Sequence, residues 1–142
     1  MPKSIPFELV ELEPESYHIL VDATINGEPV KLIVDSGASR SVFDKIYDSG
    51  QRIEGISETV AVGFMSDNVN IELASIPSLI VVGVKFKDFP IALADLSSLR
   101  ELYKSITGFN VAGLLGCDFL VQNVSTINFR SKKIFILEQN RN

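Results

Sequence analysis

The sequence has very little of two residues on which much protein chemistry depends. Its 142 residues include one cysteine, Cys117, and one histidine, His18. A single cysteine excludes an intrachain disulfide, and one histidine with one cysteine cannot form a usual zinc site, so no metal is expected. A serine–histidine–aspartate triad would have to use His18, which we interpret as an ordinary strand residue. Cys117 lies in an apolar segment and is expected to be a buried core thiol.

Long apolar runs and an excess of basic residues are also missing. No run reaches the roughly 18 residues of a membrane-spanning helix, and the first stretch, MPKSIPFELVELEPES, lacks the apolar region of a signal peptide. Lys and Arg number 13 against 18 Asp and Glu, which gives a net charge of -5. Nucleic acid binding requires clustered basic residues. We therefore expect a cytoplasmic protein with neither a membrane nor a nucleic acid as partner.

The patterns that are present are mainly those of β-strands, in a chain of the size and composition of one globular domain. YHILVDATI and VKLIVD flank Asn26-Gly27, a strong hairpin signal. SLIVVGVKF and FPIALA are predicted as two further strands, and hairpins are predicted around GFMSDN and RSKK. Helix is predicted for DLSSLRELYKSITG, with Asp95 as N-cap and an end near Gly108, and for the short CDFLVQN. One face of the longer helix carries five apolar residues: Leu96, Leu99, Leu102, Tyr103 and Ile106.

The tripeptide Asp-Ser-Gly occurs twice, at Asp35 and at Asp48, in different settings. Asp35 follows VKLIV, a β-branched apolar run typical of a buried strand, and Gly37 allows a sharp turn directly after it. Asp48 follows VFDKIY, which mixes charged and apolar residues and indicates a short helix or amphipathic segment. We therefore predict that Asp35 is a rigidly held carboxylate with a chemical role and that Asp48 lies in a surface turn.

The spacing of the two copies bears on any chemistry that needs a pair of carboxylates. Asp35 and Asp48 are thirteen residues apart, too few to build a second strand-and-loop scaffold like the first. A second carboxylate would then come from another copy of the chain, as a twofold dimer supplies automatically.

Three segments together resemble the retropepsin-like aspartic proteases, which are the single-lobed, retroviral type. LIVDSGAS is similar to their active-site loop, VAVGFMSDNVNI to their flap hairpin, and VAGLLGCDFLVQNVSTINFRSKKIFIL to their closing segment, best to that of cellular and bacterial members. The resemblance covers Tyr17 to Leu137. It implies a mainly β, closed barrel-like acid-protease fold at 17–138, with an extension at 1–16, a tail at 139–142 and one or two short helices.

The resemblance also implies roles for individual residues. Asp35 would be the catalytic carboxylate, Ser36 would bond across a dimer axis, Gly37 would admit substrate backbone, and Ala38 would line the cleft floor. Asp118 is interpreted as a charge near a helix N-terminus rather than as a second catalytic acid. The other implied positions are the flap and substrate-binding residues Val62, Gly63, Phe64 and Met65 and the structural turn of Leu114, Leu115 and Gly116.

The function implied is peptide-bond hydrolysis by a homodimer, with one Asp35 from each chain and a polypeptide as substrate. The two carboxylates would share a proton and activate a water, with no cofactor and with activity weighted toward acidic pH. The alternative is a retropepsin-like module that binds peptides with little or no cleavage. An intact Asp35-Ser36-Gly37 favours the enzyme, whereas the single glycine in GFMSDN leaves the module open. The inserted segment DLSSLRELYKSITG is a second departure from the simplest viral pattern.

Overall fold

The computed structural model describes residues 3–53, 72–81 and 83–137. Within these ranges the chain forms strands, two α-helices and a short 3-10 helix at Lys45–Tyr47. The strands are β1 (Ser4–Pro6), β2 (Glu8–Glu13), β3 (Ser16–Ile25), β4 (Glu28–Val34), β5 (Val42–Asp44), β6 (Glu72–Val81), β7 (Val84–Ala94), β8 (Val111–Leu115), β9 (Val124–Asn128) and β10 (Lys133–Ile136), and the helices are α1 (Ser97–Thr107) and α2 (Cys117–Asn123).

Six strands close into a barrel in the order β3-β4-β8-β5-β7-β6. The barrel closes because the end of β3 pairs with β6 as well as with β4, for example at Ala23 and Val81. β2 extends the sheet on the other side of β3. The prediction of a mainly β, closed barrel-like fold with one or two short helices is therefore confirmed, and the described chain has two α-helices.

A second, three-stranded sheet joins the two ends of the described chain in the order β1-β10-β9. Ile5 pairs with Ile134, and Ile134 pairs in turn with Ile127. The residues before β3 thus contribute β1 to this sheet and β2 to the larger one.

The alternation of side chains along β3 divides the core into two apolar clusters. Val21, Ala23 and Ile25 face the barrel interior. Leu20 faces the opposite side and packs in the cluster that contains Tyr103 of α1. Successive side chains of a β-strand point to opposite faces of the sheet. Helix α1 therefore covers an outer face of the barrel, and the sheet is buried on both faces at this point.

The β3–β4 hairpin forms at Asn26-Gly27 as predicted, and both residues have positive φ, 48° and 87°. The prediction of SLIVVGVKF as one strand is wrong, because the chain reverses at Gly83, where φ is 75°. Its first half ends β6, and its second half begins β7, which continues through FPIALA. A glycine can adopt this left-handed conformation at little cost, which permits the tight turn.

Helix α1 differs from the prediction at its start and along its apolar face. Its N-cap is Leu96, and Asp95 lies one residue earlier, where its Oδ1 accepts a hydrogen bond from the Ser97 N–H. Leu96 and Tyr103 are buried, but Leu102 and Ile106 are exposed. Gly108 ends the helix with a φ of 78°, as expected of a C-terminal glycine.

Candidate active site

The barrel topology places the loop that carries Asp35 across the end of a central strand. Strand β8 lies between β4, to which it is parallel, and β5, to which it is antiparallel. The chain leaves β4 at Asp35 and must cross the carboxyl end of β8 before it returns as β5. The active-site loop, residues 35–41, is therefore seated on the segment that joins β8 to α2.

The backbone N–H and the backbone carbonyl of Asp35 are both hydrogen-bonded. Its N–H donates to the Leu115 carbonyl at 2.9 Å, and its own carbonyl accepts the Ala38 N–H at 3.2 Å. The Gly37 N–H donates to Asp35 Oδ1 at 2.9 Å. The other carboxylate oxygen, Oδ2, is buried and has no hydrogen-bond partner among the described residues. The turn thus orients one oxygen and leaves the second without a donor from the described chain.

Two glycines of the β8–α2 segment allow the backbone of β5 and of the active-site loop to approach closely. A Cβ at Gly113 would lie 2.2 Å from the Val42 carbonyl oxygen, and a Cβ at Gly116 would lie 2.7 Å from the Ala38 carbonyl oxygen. Real Cβ atoms essentially never approach backbone atoms this closely. Gly113 is therefore required where β5 pairs with β8, and Gly116 is required where the active-site loop crosses the end of β8.

The predicted structural turn lies at the junction of β8 and α2. Leu114 and Leu115 are the last residues of β8, where both are buried, and Leu115 pairs with Val34. Gly116 lies between the strand and α2 as the N-cap of that helix.

Ser36 and Gly37 are exposed, and Ala38 is fully buried. The Cys117 N–H donates to the Ala38 carbonyl at 2.8 Å, and the Cys117 thiol donates to the Ser36 carbonyl at 3.1 Å. The expectation of a buried core thiol is wrong, because Cys117 is only partly buried. It begins α2 beside the loop and so faces Ser36.

Asp118 lies in the first turn of α2, as predicted, and also contacts the far end of the active-site loop. Both of its oxygens accept the Ser41 N–H, at 2.9 and 3.0 Å, and Oδ1 accepts the Ser41 hydroxyl at 2.8 Å. Sequence reasoning did not find this contact, since nothing local relates residues 41 and 118.

The second Asp-Ser-Gly lies on an exposed turn after the 3-10 helix. The Arg52 guanidinium bonds both Asp48 oxygens, and together with the Gly50 N–H it lowers the pKa of Asp48 to about 2. Asp48 is therefore engaged in a surface ion pair, away from the loop that carries Asp35.

The other predicted positions lie partly outside the described residues. Val62, Gly63, Phe64 and Met65 lie outside the described residues. His18 bonds the Tyr103 hydroxyl through Nδ1. Over the described ranges no three His, Cys, Asp or Glu side chains group as metal ligands, and neither helix has the length and apolar character that crossing a bilayer requires.

Comparison with known proteins gives similarity in sequence to one family. The sequence model of a family described as aspartyl protease matches residues 21–119. That range includes the active-site loop, Gly116 and Asp118. No curated protein matches the chain.

Solved structures give similarity in fold. A retropepsin-like aspartic protease from Rickettsia conorii matches with a TM-score of 0.53 and 15% identity, over 96% of this chain and 94% of that one. The EIAV protease in complex with the inhibitor HBY-793 matches with a TM-score of 0.49 and 20% identity, over 79% and 92%.

Proposed function

The chain belongs to the aspartyl protease family, and from that premise we propose that it is an aspartic endopeptidase whose active site forms from two copies of Asp35. A family model that spans 99 residues, from 21 to 119, includes the whole loop on which this proposal rests. The substrate is a polypeptide, bound in extended form.

The chemistry requires two carboxylates close together in different protonation states. At a separation of about 3 Å they cannot both ionise, so they share one proton. The ionised member takes a proton from a bound water, and the protonated member donates to the scissile carbonyl oxygen as the water adds. The resulting gem-diol collapses as the leaving amine is protonated. The pH–rate profile belongs to the pair and is bell-shaped on the acidic side.

The observation that carries the proposal is the state of the Asp35 carboxylate. Oδ1 is fixed by the Gly37 N–H, whereas Oδ2 is buried without a partner among the described residues. A buried polar atom in this condition calls for a physical reason. A second Asp35 across a twofold axis supplies one when the side chain turns Oδ2, which the isolated chain covers, toward the partner, because a proton shared between the two carboxyl groups would satisfy both.

A surface next to the active-site loop supports pairing with a second copy. Ser36 and Gly37 are exposed at the loop. Val121 lies one turn after Cys117 on the same face of α2 and is 73% exposed, so this face of the helix offers an apolar contact to a second copy. β9 follows directly and pairs only with β10 within the described ranges, so no described strand covers its other edge, where a strand of a second copy could pair.

The proposal is tested by peptide cleavage with wild-type protein and Asp35→Asn across pH 3 to 8, with sizing of the same samples. We expect wild type to be dimeric and to cleave with a bell-shaped profile, and Asp35→Asn to lose at least about 10³-fold in kcat, since the pair loses its ionisable oxygen. Asp48→Asn is the matched control, because it changes the same tripeptide at the other copy and should cleave as wild type does.

Two results would contradict the proposal. Equal cleavage by wild type and Asp35→Asn would remove Asp35 from the mechanism. A stable wild-type dimer that cleaves nothing in a broad peptide library would instead favour a peptide-binding module.

A further inference from the structure

The contact between Asp118 and Ser41 joins two segments that are 77 residues apart in the chain. Ser41 is fully buried. Its N–H and hydroxyl both donate to the Asp118 carboxylate, and its hydroxyl oxygen accepts the Gly116 N–H at 3.1 Å. Ser41 thus bonds both to the residue that precedes α2 and to the first turn of that helix.

A carboxylate that only stabilised the helix N-terminus would need no partner outside its own turn. Asp118 Oδ1 does accept the Phe119 N–H at 2.8 Å, but the same oxygen also accepts both donors of Ser41. Hydrogen bonds to a charged acceptor are about twice as strong as neutral ones. The strongest polar contacts of this carboxylate outside its own turn are therefore made to the end of the active-site loop.

Residues 115–118 anchor the active-site loop at three points, and the Ala92 N–H of β7 also donates to the Ser41 carbonyl at 2.9 Å. The Asp35 N–H bonds the Leu115 carbonyl at the start of the loop, the Ala38 carbonyl accepts the Cys117 N–H in the middle, and Ser41 is held by Asp118 at the end. Of these anchors only the last depends on side chains. A substitution can therefore remove this anchor without changing the backbone, as it can the bond from the Cys117 thiol to the Ser36 carbonyl.

We propose that Asp118 is a positioning residue for peptide cleavage, which acts through Ser41 to hold the loop that carries Asp35. This inference rests on the proposed function, because it concerns the same reaction. Without the contact Ser41 keeps its hydrogen bonds with the Gly116 and Ala92 N–H groups but loses its charged acceptor. The end of the loop is then held less firmly, and the Asp35 carboxylate loses part of the rigid placement that it needs opposite a second copy. A displacement of about 1 Å at a reacting group can lower a rate about 100-fold.

The test compares Asp118→Ala and Asp118→Asn with wild type in peptide cleavage. We expect Asp118→Ala to lower kcat about 10- to 100-fold with a change in KM of less than about threefold, since the loop orients the catalytic group. Asp118→Asn keeps one acceptor oxygen for Ser41 and should recover part of the loss. The two limbs of the pH–rate profile should also move closer together in Asp118→Ala, because the coupling between two carboxylates weakens with distance.

A matched control separates positioning from stability. Asp44 is a buried carboxylate that accepts the Leu96 N–H at 2.7 Å and pairs with Arg100, on the side of the barrel that holds α1. Asp44→Asn should lower the melting temperature but leave kcat within about twofold at a temperature where it is folded. Amide exchange at Ser41 should accelerate in Asp118→Ala and not in Asp44→Asn.

The possible failures are distinguishable. If Asp35→Asn is inactive while Asp118→Ala keeps kcat within about twofold of wild type, this inference alone is overturned. If Asp118→Ala and Asp44→Asn lose kcat in proportion to their loss of stability, Asp118 has a structural role only and the inference is again overturned. If wild type shows no cleavage that depends on Asp35, the proposed function and this inference fall together.

Discussion

The substitution Gly116→Ala tests the close crossing of the active-site loop over the end of β8. Gly116 has φ -101° and ψ -169°, an extended conformation that alanine adopts without strain. If space were available, the change would stabilise the protein by about 0.4–1 kcal/mol, because alanine lowers the conformational entropy of the unfolded chain. The sign of the stability change therefore reports directly on the crossing.

The distances around Gly116 predict destabilisation instead. The added Cβ would lie 2.7 Å from the Ala38 carbonyl oxygen and the Arg40 carbonyl carbon and 2.8 Å from the Arg40 carbonyl oxygen, against at least 3.4 Å for ordinary contact. The loop must then move by about 0.7 Å, and overpacking of this kind costs about 1–3 kcal/mol. In a chain of this size each kcal/mol lowers the melting temperature by about 4 °C.

The assay combines urea and thermal unfolding with peptide cleavage. Gly116→Ala should lose about 1–3 kcal/mol in the free energy of unfolding and, because the shifted loop carries Asp35, about 10-fold or more in kcat. Gly27→Ala is the control: its φ is 87° and nothing lies near its Cβ. It should lose about 1 kcal/mol through backbone strain and keep its kcat. A Gly116→Ala protein as stable as wild type, with wild-type kcat, would refute the crossing.

Three further substitutions test residues that lie outside the loop crossing. Asp48→Asn removes a carboxylate whose pKa Arg52 lowers to about 2. The variant should therefore be less stable than wild type above about pH 4, and the difference should shrink toward pH 2. Equal differences in the free energy of unfolding at pH 2 and pH 5, measured by urea unfolding, would contradict this. Tyr103→Phe removes the hydroxyl bonded to His18 and should cost about 1 kcal/mol at pH 7. Because burial raises the pKa of Tyr103 above its usual value, wild type should lose that advantage as the pH rises above about 10, and a deficit that persists there would refute it. Val121→Asp should shift the dimer to monomer in sedimentation and lower cleavage in proportion, whereas an intact dimer would exclude the α2 face from the interface.

Local sequence signals predicted the parts of the site that depend on neighbouring residues. Asn26-Gly27 fixed the β3–β4 hairpin because two adjacent residues can take positive φ there. The β-branched run of β4 predicted a buried strand that ends at Asp35, and Gly37 marked the turn that follows. The two Asp-Ser-Gly copies could likewise be told apart by the residues that precede them.

Contacts between distant segments could not be predicted from composition or periodicity. The parallel pairing of β4 with β8 links Val34 to Leu115, and only the resemblance to a family indicated that the second segment belongs to the site. That pairing places the start of α2 on the active-site loop. The hydrogen bond from Ser41 to Asp118 and the contact of the partly buried Cys117 with Ser36 both follow from this placement. The reversal at Gly83 was missed since apolar residues continue on both sides of it.

The central claim is that each active site uses one Asp35 from each of two chains, and subunit mixing tests it most directly. Wild type and Asp35→Asn are combined in equal amounts at constant total protein and left to exchange, and the initial rate of peptide cleavage is measured. If both carboxylates are needed, only dimers with two wild-type chains cleave, and the rate falls to about a quarter of that of wild type alone. A rate of about half would show that each chain acts by itself and would contradict the claim.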